Sequence, residues 1–325
     1  IVSLNIPLTR TNDIDATEDY TFDDVVYFGS DKKTIERLNS KLAPGCIINI
    51  VTGGKSVNGN PRIGIGRIHY GMTRWVGTVT DNASDGYSMI PESCELRKGD
   101  TCHVIGAGGP MGQMHVIRNI CSGIDGISIT ASDLDEVRLK SLALKAQPLA
   151  DENGVKLDIV SPNQVKPEIK FSYTALMVPV PKLLETSIRG SSEDSLINIF
   201  AGIPAYTIHE IDINSVIDKR CFMLGTSGSV LRDMKVVLAK IEGGALDTNC
   251  SVDAVSGMAG AIDGIRAVEN RTLHGKIIVY PQLHDVPLIP LSEMNHKFPS
   301  VARELKNGQW TKSAEMELLK VNNAG

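Results

Sequence analysis

The chain has 325 residues, of which 42% are hydrophobic and 22% charged, with a formal net charge of −5 and a pI near 5.8. This balance is ordinary for a globular protein, and the length leaves room for about two domains. The acidic charge gives no reason to expect nucleic acid or an anionic membrane surface as a partner, and no apolar run approaches the roughly 20 residues of a membrane span. The six cysteines are scattered without a C-x-x-C pair, which indicates reduced thiols in a cytoplasmic setting and no structural zinc cluster.

The first predicted elements are three strands. Near-continuous apolar runs at 25–28 and 46–51 favour parallel strands that are covered on both faces, and a third strand ends in Gly-Thr. Only about twenty residues, polar and acidic, precede Phe22, too few for three more strands and two helices. Because the sequence also opens at Ile1 without a methionine, residues 1–90 are predicted to be the second half of a doubly wound unit whose first half is absent. The alternative is a genuine short N-terminal lobe.

A glycine-rich turn comes next and is the main functional signal of the sequence. A short apolar strand runs to residue 105, and a helix is predicted at 113–120. The turn between them consists of Gly106, Ala107, Gly108, Gly109, Pro110, Met111 and Gly112. Counted from Gly106, the pattern G-x-G-x-x-G fails at Met111, whereas counted from Ala107 it reads A-x-G-x-x-G. Strand, glycine turn and helix are the parts of a dinucleotide phosphate site, because small residues let the backbone approach the pyrophosphate and the helix N-terminus offers free N–H groups.

An acidic residue follows the turn at a suggestive distance. Asp133 lies 21 positions after Gly112 (133 against 112), at the end of the predicted strand 126–132. A carboxylate at a spacing of about 20 is expected to bind the ribose of a dinucleotide. The alternatives are a purely structural turn and an N-cap role of Asp133 for the helix that begins near Leu134.

The chain contains an internal repeat. Residues 22–27 match 171–176 and residues 48–53 match 197–202, both 149 positions apart, and the Gly-Thr of the first copy recurs 148 positions later. Each copy has the order of the second half of a doubly wound sheet. Because the glycine turn and two further strands precede the second copy, residues 91–243 are predicted to be a complete Rossmann domain. The predicted fold class is α/β, a doubly wound parallel sheet in which one complete unit is preceded by the second half of another.

The rest of the chain is predicted to close this domain and extend beyond it. The predicted elements are a helix at 231–242, a strand at 250–256, a helix at 259–270 and a strand at 276–280. Residues 244–282 form a closing segment, and residues 283–325 form a proline-punctuated tail with a helix near 314–320.

Several separated motifs resemble the medium-chain dehydrogenase/reductase family, the zinc-type alcohol and polyol dehydrogenases. They are Arg97-Lys98-Gly99-Asp100 before the turn, Gly225-Thr226-Ser227-Gly228, Leu246-Asp247, and the runs 263–268 and 275–279. The nearest branch contains sorbose-phosphate reductase and related sugar-phosphate dehydrogenases, whose turn also reads Gly-Pro-Met-Gly. The resemblance covers residues 91–282 well and 22–90 more loosely.

The resemblance implies roles for individual residues. The turn from Ala107 to Gly112 would hold the pyrophosphate, and Asp133 would bind the adenosine ribose and favour NAD over NADP, because a carboxylate repels a 2′-phosphate. Strand ends on the cofactor side would line the rest of the site: Val178, Phe200, Ala201, Gly202, Leu224, Gly225 and Thr226. The alternative is that these are ordinary strand ends. A homo-oligomer is also implied, because in this family the strand ending in Gly-Thr lies near the sheet edge used for dimerisation.

The departures from the family concern its catalytic zinc. That zinc takes Cys, His and carboxylate ligands from an N-terminal barrel-like domain, which this sequence does not show, so zinc is expected only in a catalytic domain absent from the chain. His209-Glu210 lies in a predicted loop without a partner cysteine and is interpreted as a solvated surface pair. The other histidines show no metal-ligand spacing. His69, Tyr70 and Arg74 are interpreted as a polar connection, with contact to a substrate phosphate as the alternative.

Two classes of function remain open. The first is an NAD(P)-dependent oxidoreductase segment that acts on a polyol, sugar or sugar-phosphate alcohol or ketone and is inactive as this chain alone. The second is a non-catalytic module that binds a dinucleotide or mediates assembly. A cysteine and a Gly-His-Glu pattern upstream of Ile1 would favour the enzyme.

Overall fold

The computed structural model describes residues 7–323, with side chains up to residue 322, so Ile1 lies outside the described residues. The chain is a mixed α/β protein with mostly parallel strands, which confirms the predicted Rossmann-type fold class. In chain order its elements are β1 (Phe22–Phe28), α1 (Lys32–Lys41), β2 (Leu42–Val51), β3 (Arg62–Gly64), α2 (Ile65–Gly71), β4 (Arg74–Thr78), α3 (Ala83–Tyr87), β5 (Thr101–Ile105), α4 (Pro110–Ile120), β6 (Ser128–Ser132), α5 (Glu136–Asn153), β7 (Lys156–Val160), β8 (Phe171–Leu176), α6 (Pro181–Gly190), β9 (Ser191–Ile199), β10 (Ile208–Glu210), α7 (Ile213–Asp218), β11 (Phe222–Gly225), α8 (Leu231–Glu242), β12 (Val252–Ser256), α9 (Ala261–Glu269), β13 (Lys276–Val279), β14 (Ile289–Pro290), α10 (Met294–Lys297), α11 (Pro299–Arg303) and α12 (Lys312–Asn323). Over the described residues, no helix combines the length and the apolar character that crossing a membrane requires.

The chain divides into two compact units. The repeat unit consists of residues 1–95 and 167–228, and the turn unit consists of residues 96–166 and 229–325. The repeat unit holds both copies of the internal repeat, and the turn unit holds the glycine turn. The predicted boundaries of the four segments, at 90, 243 and 282, stay predictions.

The two copies of the repeat have the same elements at the same spacing. The first copy is defined as residues 22–78 and the second as residues 171–225. Helix α6 begins 149 positions after α1 (181 against 32), α7 begins 148 positions after α2 (213 against 65), and β11 begins 148 positions after β4 (222 against 74). Within each copy the three main strands are parallel, in the order β1-β2-β4 and β8-β9-β11. The three parallel strands predicted for the first copy are confirmed.

The copies meet through antiparallel pairs. Trp75 on β4 pairs with Met223 on β11, and these two residues are equivalent positions of the repeat, 148 apart. A strand that faces its own equivalent in antiparallel register is what an approximate two-fold axis produces. Strands β3 and β10 form a second antiparallel pair between the copies. The sheet edge that the resemblance assigns to subunit pairing is therefore occupied within one chain.

The outer strand of the first copy differs from its prediction. The interior strand β2 is buried as expected, with Ile48 and Ile50 wholly inaccessible. Strand β1 is not covered on both faces, because Val26 is 39% and Phe28 65% exposed. It is an edge strand, and charged residues such as Asp23 are a usual protection of such an edge against pairing with another chain. The apolar run at residues 25–28 is too short to distinguish an edge strand from a central strand.

The turn unit has two groups of strands. Strands β5, β6 and β7 are parallel and adjacent in that order, and β12 pairs with β13 and β14. A core of large side chains that includes Trp310 and Met294 packs the tail against β12. The helix predicted at 231–242 is confirmed with the same ends as α8, whereas the tail helix is longer than predicted.

Candidate functional site

The glycine turn joins β5 to α4 in the turn unit. Gly106 has a φ of +85°, in the left-handed region that favours glycine. The N–H groups of Gly106 and Ala107 both donate to the carbonyl of Ser132, at 2.8 and 3.0 Å. The turn is thereby fastened to the end of the neighbouring strand β6.

Two further glycines of the turn meet different surroundings. A Cβ on Gly112 would lie 2.3 Å from the carbonyl oxygen of Gly106, so only glycine lets α4 pack this close to the turn. A Cβ on Gly109 would meet nothing nearer than that same oxygen, at 3.9 Å. The space beside Gly109 is therefore open. The dinucleotide fingerprint requires open approach at its second position and tight helix packing at its third. Gly109 and Gly112 meet these requirements, which agrees with the pattern counted from Ala107.

The first turn of α4 faces the same space with free donors. The helix starts at Pro110, three residues earlier than predicted, with Gly109 as its N-cap and without a side-chain cap. Backbone N–H groups of a first helical turn, here those of Met111 and Gly112, have no acceptor within the helix, and the helix dipole places positive charge beside them. This end of α4 has the chemistry to bind an anion.

Asp133 also holds the turn, through a hydrogen bond to Gly108. Its carboxylate accepts the N–H of Gly108 at 2.9 Å and the N–H of Asp135 at 3.0 Å. The N-cap of α5 is Asp135, which accepts the N–H groups of Val137 and Arg138, so the alternative that Asp133 caps this helix is wrong. Each carboxylate oxygen has further acceptor capacity, and Asp133 therefore retains the means to accept ribose hydroxyl groups.

Two histidines on the elements that flank the turn, His103 on β5 and His115 on α4, add no charge to it. Burial lowers the pKa of His103 to about 4, and its Nε2 lies 2.9 Å from the hydroxyl of Ser132. Burial, the largest cause, also lowers the pKa of His115 to about 4. Both rings are neutral at pH 7. Arg138 lies beside Gly108, and its Nε lies 3.4 Å from a carboxylate oxygen of Asp135.

The remaining predicted cofactor residues lie in the repeat unit. Val178 follows β8, and the N–H of Ala201 donates to the carbonyl of Leu176 at 2.8 Å. Gly202 is exposed, and a Cβ there would lie 3.3 Å from the hydroxyl of Tyr70. The strand ends of the second copy are therefore met by helix α2 of the first copy.

Gly225 and Thr226 at the end of β11 have structural partners. A Cβ on Gly225 would lie 1.6 Å from the carbonyl oxygen of Ile68, so glycine is needed there for packing against the first copy. The hydroxyl of Thr226 donates to Oδ1 of Asn198 at 2.8 Å. The structure brings the ends of β9 and β11 together, and this packing accounts for Gly225 without a cofactor.

His209 and Glu210 were predicted to lie in a loop, and this prediction is wrong, because both residues lie on strand β10. Nε2 of His209 lies 2.5 Å from a carboxylate oxygen of Glu185, and its side chain is 27% exposed. No local pattern in the sequence indicates Glu185 as the partner of His209. Among residues 7–322, no group of three histidine, cysteine or acidic side chains is placed to hold a metal ion.

Three polar residues behind the turn were missed from the sequence. Gln113, Lys145 and Asp253 are connected side by side in the interior of the turn unit. One signal was available, because Lys145 interrupts the apolar stripe of α5 that includes Leu139 and Leu142. A lysine in such a stripe indicates a buried partner.

Comparisons with known proteins found weak similarities. No family model and no curated protein matches the sequence. A 2R,3R-butanediol dehydrogenase from Bacillus subtilis is 18% identical with a TM-score of 0.45, over 57% of this chain and 52% of that chain. A short chain alcohol dehydrogenase from E. coli CFT073, complexed with cofactor NADH, is 17% identical with a TM-score of 0.44, over 56% and 52%. L-Idonate 5-dehydrogenase from Escherichia coli K-12 is 15% identical with a TM-score of 0.43, over 56% and 50%.

The chain thus spans about half the length of these solved structures. At TM-scores this low the likenesses carry no argument about the fold or the function. The geometry of the glycine turn stands on its own.

Proposed function

We propose that the chain is the NAD(H)-binding segment of an oxidoreductase of the medium-chain dehydrogenase type. The observation that carries this proposal is the open space beside Gly109, at the N-terminus of α4 and next to a carboxylate at the ribose-binding spacing. A side chain at Gly109 would fill the cradle that a pyrophosphate needs. The residues present therefore fit a dinucleotide.

Three residues of the turn and Asp133 would contact the cofactor directly. The N–H groups of Gly109, Met111 and Gly112 bind the diphosphate, and Asp133 accepts the ribose hydroxyls. Bound NAD(H) would supply the hydride chemistry. The predicted contacts of Val178, Ala201, Gly202, Gly225 and Thr226 with the cofactor belong to the same proposal.

The substrate class in this proposal is a small alcohol or ketone of the polyol, sugar or sugar-phosphate kind. A catalytic zinc does not fit the described residues, because they offer no ligand group for it. We place that zinc in a domain outside this sequence, so the 325-residue chain alone should not oxidise polyols. Oligomer formation is likewise a proposal, through a surface other than the paired edge of β4 and β11.

Calorimetric titration with NADH tests the binding site. Gly109→Leu should lower the affinity for NADH at least tenfold, because the new side chain occupies the pyrophosphate space, and should leave the fold intact, because that space is empty. The matched control is Gly190→Leu, at the end of α6, where a Cβ would meet only Phe171, at 3.8 Å. Unchanged NADH affinity in Gly109→Leu would overturn the proposal. Binding of NADH without oxidoreductase activity in the full-length protein would favour the non-catalytic module instead.

Asp133 tests the preference for NAD over NADP. Asp133→Asn keeps an acceptor for the N–H of Gly108 and removes the charge that repels a 2′-phosphate. The ratio of NADPH affinity to NADH affinity should therefore rise. A ratio that does not change would contradict the ribose-binding role of this carboxylate.

A further inference from the structure

A chain of buried polar side chains runs behind the glycine turn. Gln113 on α4 is wholly inaccessible, and its Nε2 donates to the carbonyl of Gly108 at 3.0 Å. Lys145 on α5 is 9% exposed and donates to Oε1 of Gln113 at 3.3 Å. The same ammonium forms an ion pair with Asp253 on β12. We call these three side chains the relay.

The far end of the relay is anchored as well. The second oxygen of Asp253 accepts the N–H of His274 at 3.0 Å. A Cβ on Gly275 would lie 2.4 Å from the carbonyl oxygen of Ser251 and 2.7 Å from the carboxyl carbon of Asp253, so glycine lets the chain approach both groups. The relay therefore connects the chain before β13, through β12 and α5, to the glycine turn.

Stability alone does not account for a buried ion pair at this place. Removing two charges from water is costly, and well-packed apolar side chains are often as stable or more stable. The ion pair does fix the orientation of the Gln113 amide. An ammonium only donates, so Lys145 holds the oxygen of the Gln113 amide towards itself and turns the NH₂ group towards Gly108.

The orientation of one peptide follows from this contact. No peptide bond in the described residues is cis, so the carbonyl of Gly108 and the N–H of Gly109 point in opposite directions. Fixing the carbonyl of Gly108 inwards, onto Gln113, directs the N–H of Gly109 outwards. Gly109 N–H has no acceptor among the described residues, and a side chain at this position would enter open space.

We propose that Gln113, Lys145 and Asp253 are positioning residues that present the N–H of Gly109 to the diphosphate of the ligand. This inference rests on the proposed function and deepens it. None of the three side chains touches the ligand. They act by holding the Gly108–Gly109 peptide in the one orientation that donates to an anion.

Calorimetry with ADP and with adenosine tests the relay, because only ADP carries the diphosphate. Gln113→Met should lower the affinity for ADP about tenfold, the effect of one lost hydrogen bond to a charged group, and should leave the affinity for adenosine unchanged. The matched control is Gln147→Met on α5, an exposed position whose amide bonds Asp151. It should change neither affinity.

A double variant separates positioning from stability. Lys145→Met combined with Asp253→Asn removes both buried charges and keeps an acceptor for His274. Its melting temperature should stay near that of the unchanged chain, while its ADP affinity should fall as in Gln113→Met. A merely structural relay predicts the reverse, a lower melting temperature without selective loss of ADP.

The outcomes distinguish this inference from the function on which it rests. If the unchanged chain binds ADP and both variants bind it within twofold as well, the relay does not position the turn and the inference is overturned alone. If adenosine affinity falls as much as ADP affinity, the effect is not directed at the diphosphate and the inference is again overturned. If the unchanged chain binds neither ADP nor NADH, the proposed function fails and the inference fails with it.

Discussion

The two copies of the repeat have the same strands and helices but differ at the carboxyl ends of their strands. In the first copy, helix α3 covers this end: a Cβ on Gly86 would lie 2.2 Å from Oδ1 of Asn49, and the amide of Asn49 donates to the carbonyl of Ala83 at 2.8 Å. In the second copy the equivalent residue is Asn198, 149 positions later, and it bonds Thr226 instead. Parallel sheets bind ligands at this end. The equivalent asparagine therefore bonds a helix in the first copy and the residue after β11 in the second.

The contact between the copies is also uneven. Gly77 and Gly225 are equivalent, 148 positions apart, and each lies against the helix of the other copy. A Cβ on Gly77 would meet Cγ1 of Ile217 at 2.7 Å and the backbone oxygen of Ile50 at 2.8 Å, whereas a Cβ on Gly225 would meet the backbone oxygen of Ile68 at 1.6 Å. The overlap with backbone atoms is much larger at Gly225. The contact of Gly225 with the first copy is therefore tighter than the contact of Gly77 with the second copy.

The largest expected effect comes from breaking that packing. Gly225→Ala should lower the free energy of unfolding by about 4 kcal/mol, and Gly77→Ala by about 2 kcal/mol, since the overlap of the new methyl group is smaller at Gly77. Gly190→Ala is the control and should stay within about 0.5 kcal/mol, because its Cβ would make only an ordinary contact. Urea unfolding of the three variants measures the differences. A Gly77 variant that is destabilised as much as the Gly225 variant would contradict the uneven contact.

The strands and helices of the repeat could be predicted from the sequence, but which strands pair could not. The constant offset near 149 positions located both copies, and apolar runs located β2 and β9, because strand periodicity and burial are local signals. The antiparallel contact of β4 with β11 could not be predicted, since no local pattern states which strand lies beside which. The packing of Gly225 against Ile68 could not be predicted for the same reason, because Ile68 is remote in sequence. The predicted cofactor contact of Gly225 stays a prediction.

The candidate site shows the same limit. The turn from Gly106 to Gly112 was readable because fingerprint spacing is local. The relay was not, because Lys145 and Asp253 are 108 positions apart. A lysine in an apolar stripe signals that a partner exists, but only the fold selects which acidic residue it is.

A second test sharpens the comparison between Asn49 and Asn198, the equivalent residues of the two copies. Gly86→Ala should cost about 2 kcal/mol, because the added methyl group collides with the amide of Asn49. In an Asn49→Ala background the same change should cost well under 1 kcal/mol, which gives a coupling energy above about 1 kcal/mol between the two positions. The matched control uses the other copy: Asn198→Ala combined with Gly86→Ala should be additive within about 0.5 kcal/mol. Equal coupling with Asn49 and with Asn198 would show that α3 does not cover the first copy in particular.

The smallest expected effect concerns His69, which stands where the second copy has Ile217, 148 positions later. The ring of His69 is buried, and its Nδ1 donates to the carbonyl of Ile199 at 3.2 Å, one of the contacts by which the first copy holds the end of β9. His69→Ile makes the copies alike at this position and removes the donor, so it should lower the free energy of unfolding by about 1 kcal/mol. His69→Asn keeps an N–H donor near the same place and should recover most of that loss. Urea unfolding gives the energies, and hydrogen exchange of the peptide that covers β9 shows whether the effect is local to this strand. If the isoleucine variant is as stable as the unchanged chain and its β9 amides exchange no faster, this hydrogen bond does not distinguish the two copies.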